Sequence, residues 1–257
     1  MHYAISDLHG CFDKYKRMLQ LIRFHSGDTL YILGDIVDRG EGGIRILQDM
    51  MWHKNIIPFW GNHDHMAYYL LKCFYDLGTD RYAELSKTEV YRIWMGMGGD
   101  RTSEAFRGLG RSGQKAVLDY METFYFFREA EVNGRRFFLS HTVPDKSKML
   151  DFISAGSGQG DCQQASAGCR EGQKSGLWKM EPEYETCFLW AVPEYEKIYF
   201  EDRYIVTGHT PTGYIDENHI GRICRKNRHI AIDCGAVFGA PLGCVCLDTL
   251  EEFYTDI

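Results

Sequence analysis

The chain has 257 residues, 44% hydrophobic and 25% charged, enough to bury a substantial core as one domain or one domain with an insertion. A formal charge of −7 leaves no basic surface to hold a phosphate backbone, which argues against a dedicated nucleic-acid binder. No run approaches the roughly 18 apolar residues of a membrane span, and the chain opens on a strand-like HYAIS rather than a signal peptide, so a cytoplasmic protein is expected.

The first 77 residues alternate strand and helix. HYAIS runs into Asp7-Leu8-His9-Gly10, and Phe12–Phe24 follows with Tyr15, Met18, Leu19 and Ile22 at amphipathic-helix spacing. TLYIL then meets Gly34-Asp35, and 41–52 repeats the helical pattern with Ile44, Ile46, Leu47 and Met51. IIPFW meets Gly61-Asn62-His63-Asp64, and 65–77 carries Leu70, Leu71 and Phe74. Such a β-α-β-α-β start implies parallel strands joined by right-handed crossovers. Residues 81–127 are mainly helical in pattern, broken by Met95-Gly96-Met97-Gly98-Gly99. Strands return from Arg136, where RRFFLS runs into His141. RYIVT later runs into Gly208-His209, and 229–233, 243–248 and 251–254 are strand-like. The expected architecture is α/β: a mixed sheet, or two sheets packed together with helices outside.

Residues 154–175 are rich in Gly, Ser and Gln and nearly free of large apolar side chains. They are expected to form a flexible loop insertion within a single domain over 1–257. The nine cysteines are odd in number and contain no C-x-x-C pair, so buried reduced thiols are expected, Cys162, Cys169 and Cys187 being the exceptions to watch.

Five apolar runs thus end on Asp, His, Asp, Asn, His and His. A strand that stops in a tight turn delivers its next side chain to one end of a sheet, where α/β folds build their sites. A donor set of aspartate, asparagine and histidine without cysteine suits Mn²⁺, Fe²⁺ or Zn²⁺ in five- or six-fold coordination, whereas structural zinc sites usually contain thiolates. Two ions need a bridge, and Asp35 on its turn is the natural one. Such a pair would lower the pKa of a water between them and stabilise attacking and leaving oxygens at phosphorus.

Asp7-Leu-His9-Gly10, Gly34-Asp35-Ile-Val-Asp38-Arg39-Gly40, Gly61-Asn62-His63-Asp64, His141 and Gly208-His209-Thr210 together resemble the ordered signature of the calcineurin-like metallophosphoesterases, over residues 5 to about 240. Within them the chain is most similar to the phosphoprotein-phosphatase branch and its bacterial serine/threonine phosphatases, which include symmetrical diadenosine tetraphosphatases. The resemblance implies a four-layer α-β-β-α sandwich of two mixed sheets and two divalent ions, manganese first, with iron or zinc as alternatives. Asp7 and His9 would hold one ion, Asn62, His141 and His209 the other, and Asp35 both. His63 would protonate the leaving oxygen, with Asp38 orienting its ring and pairing with its charge. Arg39 would grip the phosphate oxygens through its planar fork.

The implied activity is hydrolysis of phosphomonoesters by direct attack of a metal-bridging hydroxide. The first expected substrate is phosphoserine or phosphothreonine in a protein, and the alternative is a dinucleoside polyphosphate cut symmetrically. The partner is then a phosphorylated protein or a small phosphorylated molecule, with neither nucleic acid nor membrane.

Four positions depart from the family pattern. Pro211 stands where many phosphodiesterases of the wider superfamily carry a second histidine, and, against the eukaryotic protein phosphatases, Trp60 stands where an arginine is usual and Asp64 where glutamate is common. Val192 follows Trp190 where bacterial relatives commonly have a second phosphate-binding arginine. Arg101, Arg170, Lys174 and Lys179 are candidates to replace it. His65 is expected to begin a helix, and His2, His25, His53, His219 and His229 to be structural or exposed.

Overall fold

The apolar runs are buried on both sides because each strand lies between a helical layer and a second sheet. The structure, a computed structural model, describes residues 1–77, 82–152 and 182–256, so the expected insertion at 154–175 lies outside the described residues. One sheet has the order β10-β9-β1-β2-β3, built from β1 (His2–Ile5), β2 (Thr29–Ile32), β3 (Ile56–Pro58), β9 (Gly243–Cys246) and β10 (Glu252–Tyr254). The other has the order β4-β5-β6-β8-β7, from β4 (Phe127–Val132), β5 (Arg135–Ser140), β6 (Arg203–Thr207), β7 (Cys224–Lys226) and β8 (His229–Ala231). The expected parallel pairing holds for β1 with β2 and β2 with β3, while β9 adds antiparallel to the free edge of β1. Both sheets are mixed, and the architecture is the expected sandwich.

The two-residue period of a strand sorts the core. Tyr3, Ile5, Leu30 and Ile32 join a cluster with Met18 and Leu19 of α1 (Phe12–Leu21) and Ile44 and Leu47 of α2 (Gly43–Met50). Their alternates Ala4, Tyr31 and Leu33 pack instead against Phe137, Leu139, Val206 and Ile230 of the second sheet. One expected apolar contact shifts by a residue: Met50 is buried, and Met51 lies at the exposed end of α2. On the far side, Phe188 from the helix Pro182–Leu189 packs over Phe127 and Phe138.

Two strands depart from the expectation. β4 lies in the stretch read as helical and just beyond it, and β7 was not anticipated. Both are edge strands carrying charges (Arg128, Glu129 and Glu131; Arg225 and Lys226), which blunt an edge but erase apolar alternation. Each is joined to its partner by a two-residue turn in the left-handed region, Asn133-Gly134 (φ 51° and 73°) and Asn227-Arg228 (φ 50° and 62°). The helix expected over 65–77 is α3 (Asn62–Leu77), and the remaining expected helical stretch divides into α4 (Tyr82–Leu85), α5 (Glu89–Trp94), α6 (Asp100–Arg107) and α7 (Arg111–Met121). The expected glycine-rich break lies between α5 and α6, with Gly98 at φ 96°.

The buried-thiol expectation holds for Cys187, Cys224, Cys234, Cys244 and Cys246, whereas Cys11 is half-buried and Cys73 exposed. All seven described cysteines are unbridged, and Cys162 and Cys169 lie outside the described residues. Among the described residues no helix is long and apolar enough to cross a membrane.

Candidate metal and catalytic centre

The turns that follow β1, β2 and β6 are unusual in their backbone. Asp7, His9, Asp35, Asp38, Arg39 and His209 all have φ between 39° and 70°, a region that costs a non-glycine residue about 1–2 kcal/mol. The turns hold one another there: Asp7 N–H donates to Gly34 O (3.0 Å), His9 N–H to Asp35 O (2.8 Å) and Gly10 N–H to Ile36 O (2.9 Å). Asp64 pins the same loop from α3, its fully buried carboxylate accepting from Ile36, Val37 and Gly61 N–H at 2.9, 3.1 and 3.2 Å. The Asp64 departure is thus a loop brace. Gly61 and Gly208 are required by close approach, since a methyl group on either would collide with the carboxylates of Asp35 and Asp7 respectively.

The expected site residues converge in two groups that share Asp35. In one, ligand atoms of Asp35, His141 and His209 all lie within 4.8 Å of one another, and in the other those of His9, Asp35 and His63 do. Asn62 Oδ1 lies 3.0 Å from His141 Nε2 and 3.2 Å from His209 Nδ1, and the two imidazole nitrogens are 3.1 Å apart. His141 Nδ1–H is committed to Leu33 O (2.8 Å) and His9 Nδ1–H to Val37 O (3.1 Å), so both rings turn the lone pair on Nε2 inward. Burial lowers the pKa of His9 to about 3 and of His209 to about 4, and lowers that of His141 as well. Burial opposes ionisation of Asp35, but His141, His63, His9 and His209 around it hold its carboxyl below the usual range. Lone pairs converge about an ionised carboxylate whose Oδ1 already accepts from His63 N–H (3.0 Å), and a divalent cation would suit this donor set.

Asp7 lies behind this nest, both of its oxygens accepting from His209 N–H (3.2 and 3.0 Å). Burial, Asp233 and Asp35 raise its pKa. Asp233 was missed in the sequence. It ends the run His229–Ile232 as the ligands end theirs, so the strand-end pattern could have found it, and its own pKa is raised to about 7 by burial and by Asp35.

The catalytic candidates centre on His63, itself a member of the second group. His63 Nδ1–H donates to Asp38 Oδ2 at 2.9 Å. Asp38 is fully buried, and burial raises its pKa against the hydrogen bonds from His63, Thr102 and Trp94. Trp94 Nε1–H (2.9 Å) and Thr102 Oγ1–H (2.7 Å) complete its acceptor set, and no spacing in the sequence signalled either residue. Arg39 spreads its fork between His9 Nε2 (2.6 Å) and His63 Nε2 (3.0 Å), and its own N–H donates to Gly98 O (2.8 Å). Gly98 packs so closely on Arg39 that the glycine-rich break serves the site.

Other expectations fall elsewhere. Arg101 does not join the centre; it pairs with Glu41 (3.3 Å) and Asp100 (3.6 Å). Arg170, Lys174 and Lys179 lie outside the described residues. Val192 is exposed, following Ala191, whose carbonyl accepts from Thr142 Oγ1 beside His141. Trp60 is a core residue in edge contact with His65 and Tyr68 (both 5.5 Å), and His65 sits in the first turn of α3 as expected. His229 is buried, its Nε2 2.7 Å from Thr207 Oγ1.

The chain belongs to the calcineurin-like phosphoesterases: the family's sequence model matches residues 3–235. A relative from Neisseria gonorrhoeae (strain NCCP11945), a symmetrical bis(5'-nucleosyl)-tetraphosphatase, is 46% identical over 65 residues. That match spans 24% of this chain and 24% of that enzyme. Among solved structures, one described as a putative diadenosine tetraphosphatase superposes over 99% of this chain and 92% of its own, with a TM-score of 0.55 at 15% identity. A cold-active protein tyrosine phosphatase superposes over 98% of this chain and 78% of its own, with a TM-score of 0.54 at 16% identity. At such identities the structural likeness speaks for the fold.

Proposed function

We propose that the chain hydrolyses dinucleoside polyphosphates symmetrically, diadenosine tetraphosphate and water giving two molecules of ADP. The observation that carries this substrate is the 46% identity with the Neisseria tetraphosphatase, which puts the alternative ahead of the phosphoprotein substrate expected first. In this proposal Asp7, His9 and Asp35 hold one divalent ion, and Asp35, Asn62, His141 and His209 the other, manganese being the first choice. When bound, the two ions would acidify water and stabilise charge on the reacting phosphoryl group.

The remaining work falls to side chains of the centre. Arg39 turns its fork from His9 and His63 to two phosphate oxygens, the bidentate geometry that distinguishes arginine from lysine. His63, oriented by Asp38, presents Nε2 towards the leaving side and gives its proton to the bridging oxygen that departs with one ADP. Water oxygen joins phosphorus as that bridging P–O bond breaks, so the other ADP carries the new oxygen. No covalent phosphoenzyme is invoked, because Asp7 and Asp35 serve as ligands and Asp38 is committed to His63, Trp94 and Thr102.

The proposal also includes a single catalytic domain over 1–257 and a cytoplasmic location, which suits the buried unbridged thiols of Cys234, Cys244 and Cys246. The test is product analysis with manganese present. Two ADP per diadenosine tetraphosphate, lost in His63→Asn, is the expected result. ATP with AMP, or phosphate release from a phosphothreonine peptide in preference to any cleavage of the dinucleotide, overturns it.

A further inference from the structure

Phe238 is 69% exposed, although its near neighbours Cys234, Ala236 and Leu242 are buried. A single exposed phenylalanine is ordinary. What sets this one apart is where it is held and how. The guanidinium carbon of Arg39 lies over its ring, 5.4 Å from the centroid, so the ring stands at the mouth of the centre beside the proposed phosphate grip.

The segment carrying it is braced at both ends. Gly235 and Gly239 flank the turn in the left-handed region at φ 79° and 95°, and Gly235 N–H donates to Asp233 Oδ1 at 2.9 Å. Lys14, from the helix that follows the Asp7-His9 turn, donates to Ala236 O (2.9 Å) and Ala240 O (2.6 Å) on either side of Phe238. A charged donor thus ties the phenylalanine turn to the element that begins at the metal ligands. The brace presents an aromatic face at a set position, where burial would have been the cheaper arrangement for the ring.

We infer that Phe238 is a specificity residue on which one nucleobase of the substrate stacks while Arg39 holds the phosphoryl group undergoing attack. This rests on the proposed dinucleotide substrate and adds the residue that recognises its aromatic part. Every base has a π-face, so the inference assigns recognition of nucleotides over base-free polyphosphates, without choosing adenine over guanine.

The test compares kcat/KM for diadenosine tetraphosphate and for inorganic tetraphosphate, using manganese-loaded wild type, Phe238→Ala and Phe238→Tyr. Phe238→Ala is expected to lower the ratio of the two by about 5- to 150-fold, mainly through KM for the dinucleotide. Phe238→Tyr, which keeps the π-face, is expected to restore it. Calorimetry supplies a readout apart from turnover: ADP binding weakens in Phe238→Ala by more than phosphate binding does. If both substrates fall by the same factor, the ring merely supports Arg39 and the inference is overturned; an unchanged ratio overturns it equally. Wild type that yields no ADP from the dinucleotide sinks the proposed substrate and this inference with it. That failure is recognisable because it appears before any substitution at Phe238.

Discussion

Asp38 joins His63, the proposed general acid, to the fold, and its replacement has a magnitude that can be worked from its contacts. Its carboxylate accepts from His63 Nδ1–H and Trp94 Nε1–H at Oδ2 and from Thr102 Oγ1–H at Oδ1, all in a site with no solvent access. Asp38→Ala strands two fixed N–H donors, since the threonine hydroxyl can rotate but the ring donors cannot. At about 1–3 kcal/mol for each stranded group, the fold should lose about 2–6 kcal/mol. Asp38→Asn behaves differently. Its amide oxygen can keep His63 and Trp94, and its NH2 can meet Thr102, whose oxygen accepts instead. That variant gives up charge assistance alone, about 1 kcal/mol per bond.

Turnover should follow the same order. Freed from Asp38, the His63 ring loses both orientation and tautomer, so kcat in Asp38→Ala should fall about 10²–10⁴-fold, as for loss of a general acid. Asp38→Asn should fall about tenfold. Steady-state hydrolysis of diadenosine tetraphosphate and urea unfolding read the two effects separately. A second substrate sharpens the comparison, because an aryl phosphate with an activated phenolate leaving group needs little protonation and should show a smaller loss. If Asp38→Ala retains kcat within about threefold of wild type, or loses as much with the activated ester as with the dinucleotide, the assignment of His63 as the acid oriented by Asp38 is refuted.

Arg39→Lys keeps the charge but loses the fork, so kcat/KM and affinity for inhibitory phosphate should each drop by about tenfold or more, measured by competition kinetics, with metal content unchanged. Gly208→Ala places a methyl group against the Asp7 carboxylate, and elemental analysis should then find fewer than two metal ions per chain. Full metal content with full activity would contradict the packing. His229 is buried with Nε2 2.7 Å from Thr207 Oγ1, and burial lowers its pKa to about 3. The folded state resists a proton that the unfolded chain accepts near pH 6.5, so its contribution is intact above that pH and is lost as pH falls towards 3. Between pH 7.5 and 5.5 it should remove about 1.4 kcal/mol of unfolding free energy. His229→Gln should flatten that part of a pH series of urea titrations, and an unchanged slope would count against the burial argument.

Much of the centre could be read from the chain because its logic is local. An apolar run sandwiched between two layers must end where the layers end, so Asp7, Asp35, Asn62, His141 and His209 are visible as the residues that follow buried strands. Parallel β1-β2-β3 pairing is equally local, since each helix returns the chain to the same edge. Donor chemistry is a property of residue type, which is why a metal centre could be expected before any fold was known. Asp233 carried the same signal at the end of its run and was overlooked because no donor partner stands beside it in sequence.

Other features depended on which distant segments meet. β4 and β7 hide because edge strands carry charge in place of apolar alternation, although Asn133-Gly134 marks the first hairpin. Trp94 and Thr102 reach Asp38 across more than fifty residues, and periodicity holds no information about such meetings. Arg101, one of four candidates for a second phosphate-binding cation, pairs instead with Glu41 and Asp100. Phe238 is the extreme case: it is exposed, so burial patterning says nothing of it. Its place beside Arg39 arises from Lys14 and two left-handed glycines. The strand ends and their candidate ligands were therefore determined by the sequence alone, through short-range burial. The partners of those ligands, and the aromatic face at the mouth of the centre, were decided by tertiary structure, because only the closed sandwich brings residues some two hundred positions apart into contact.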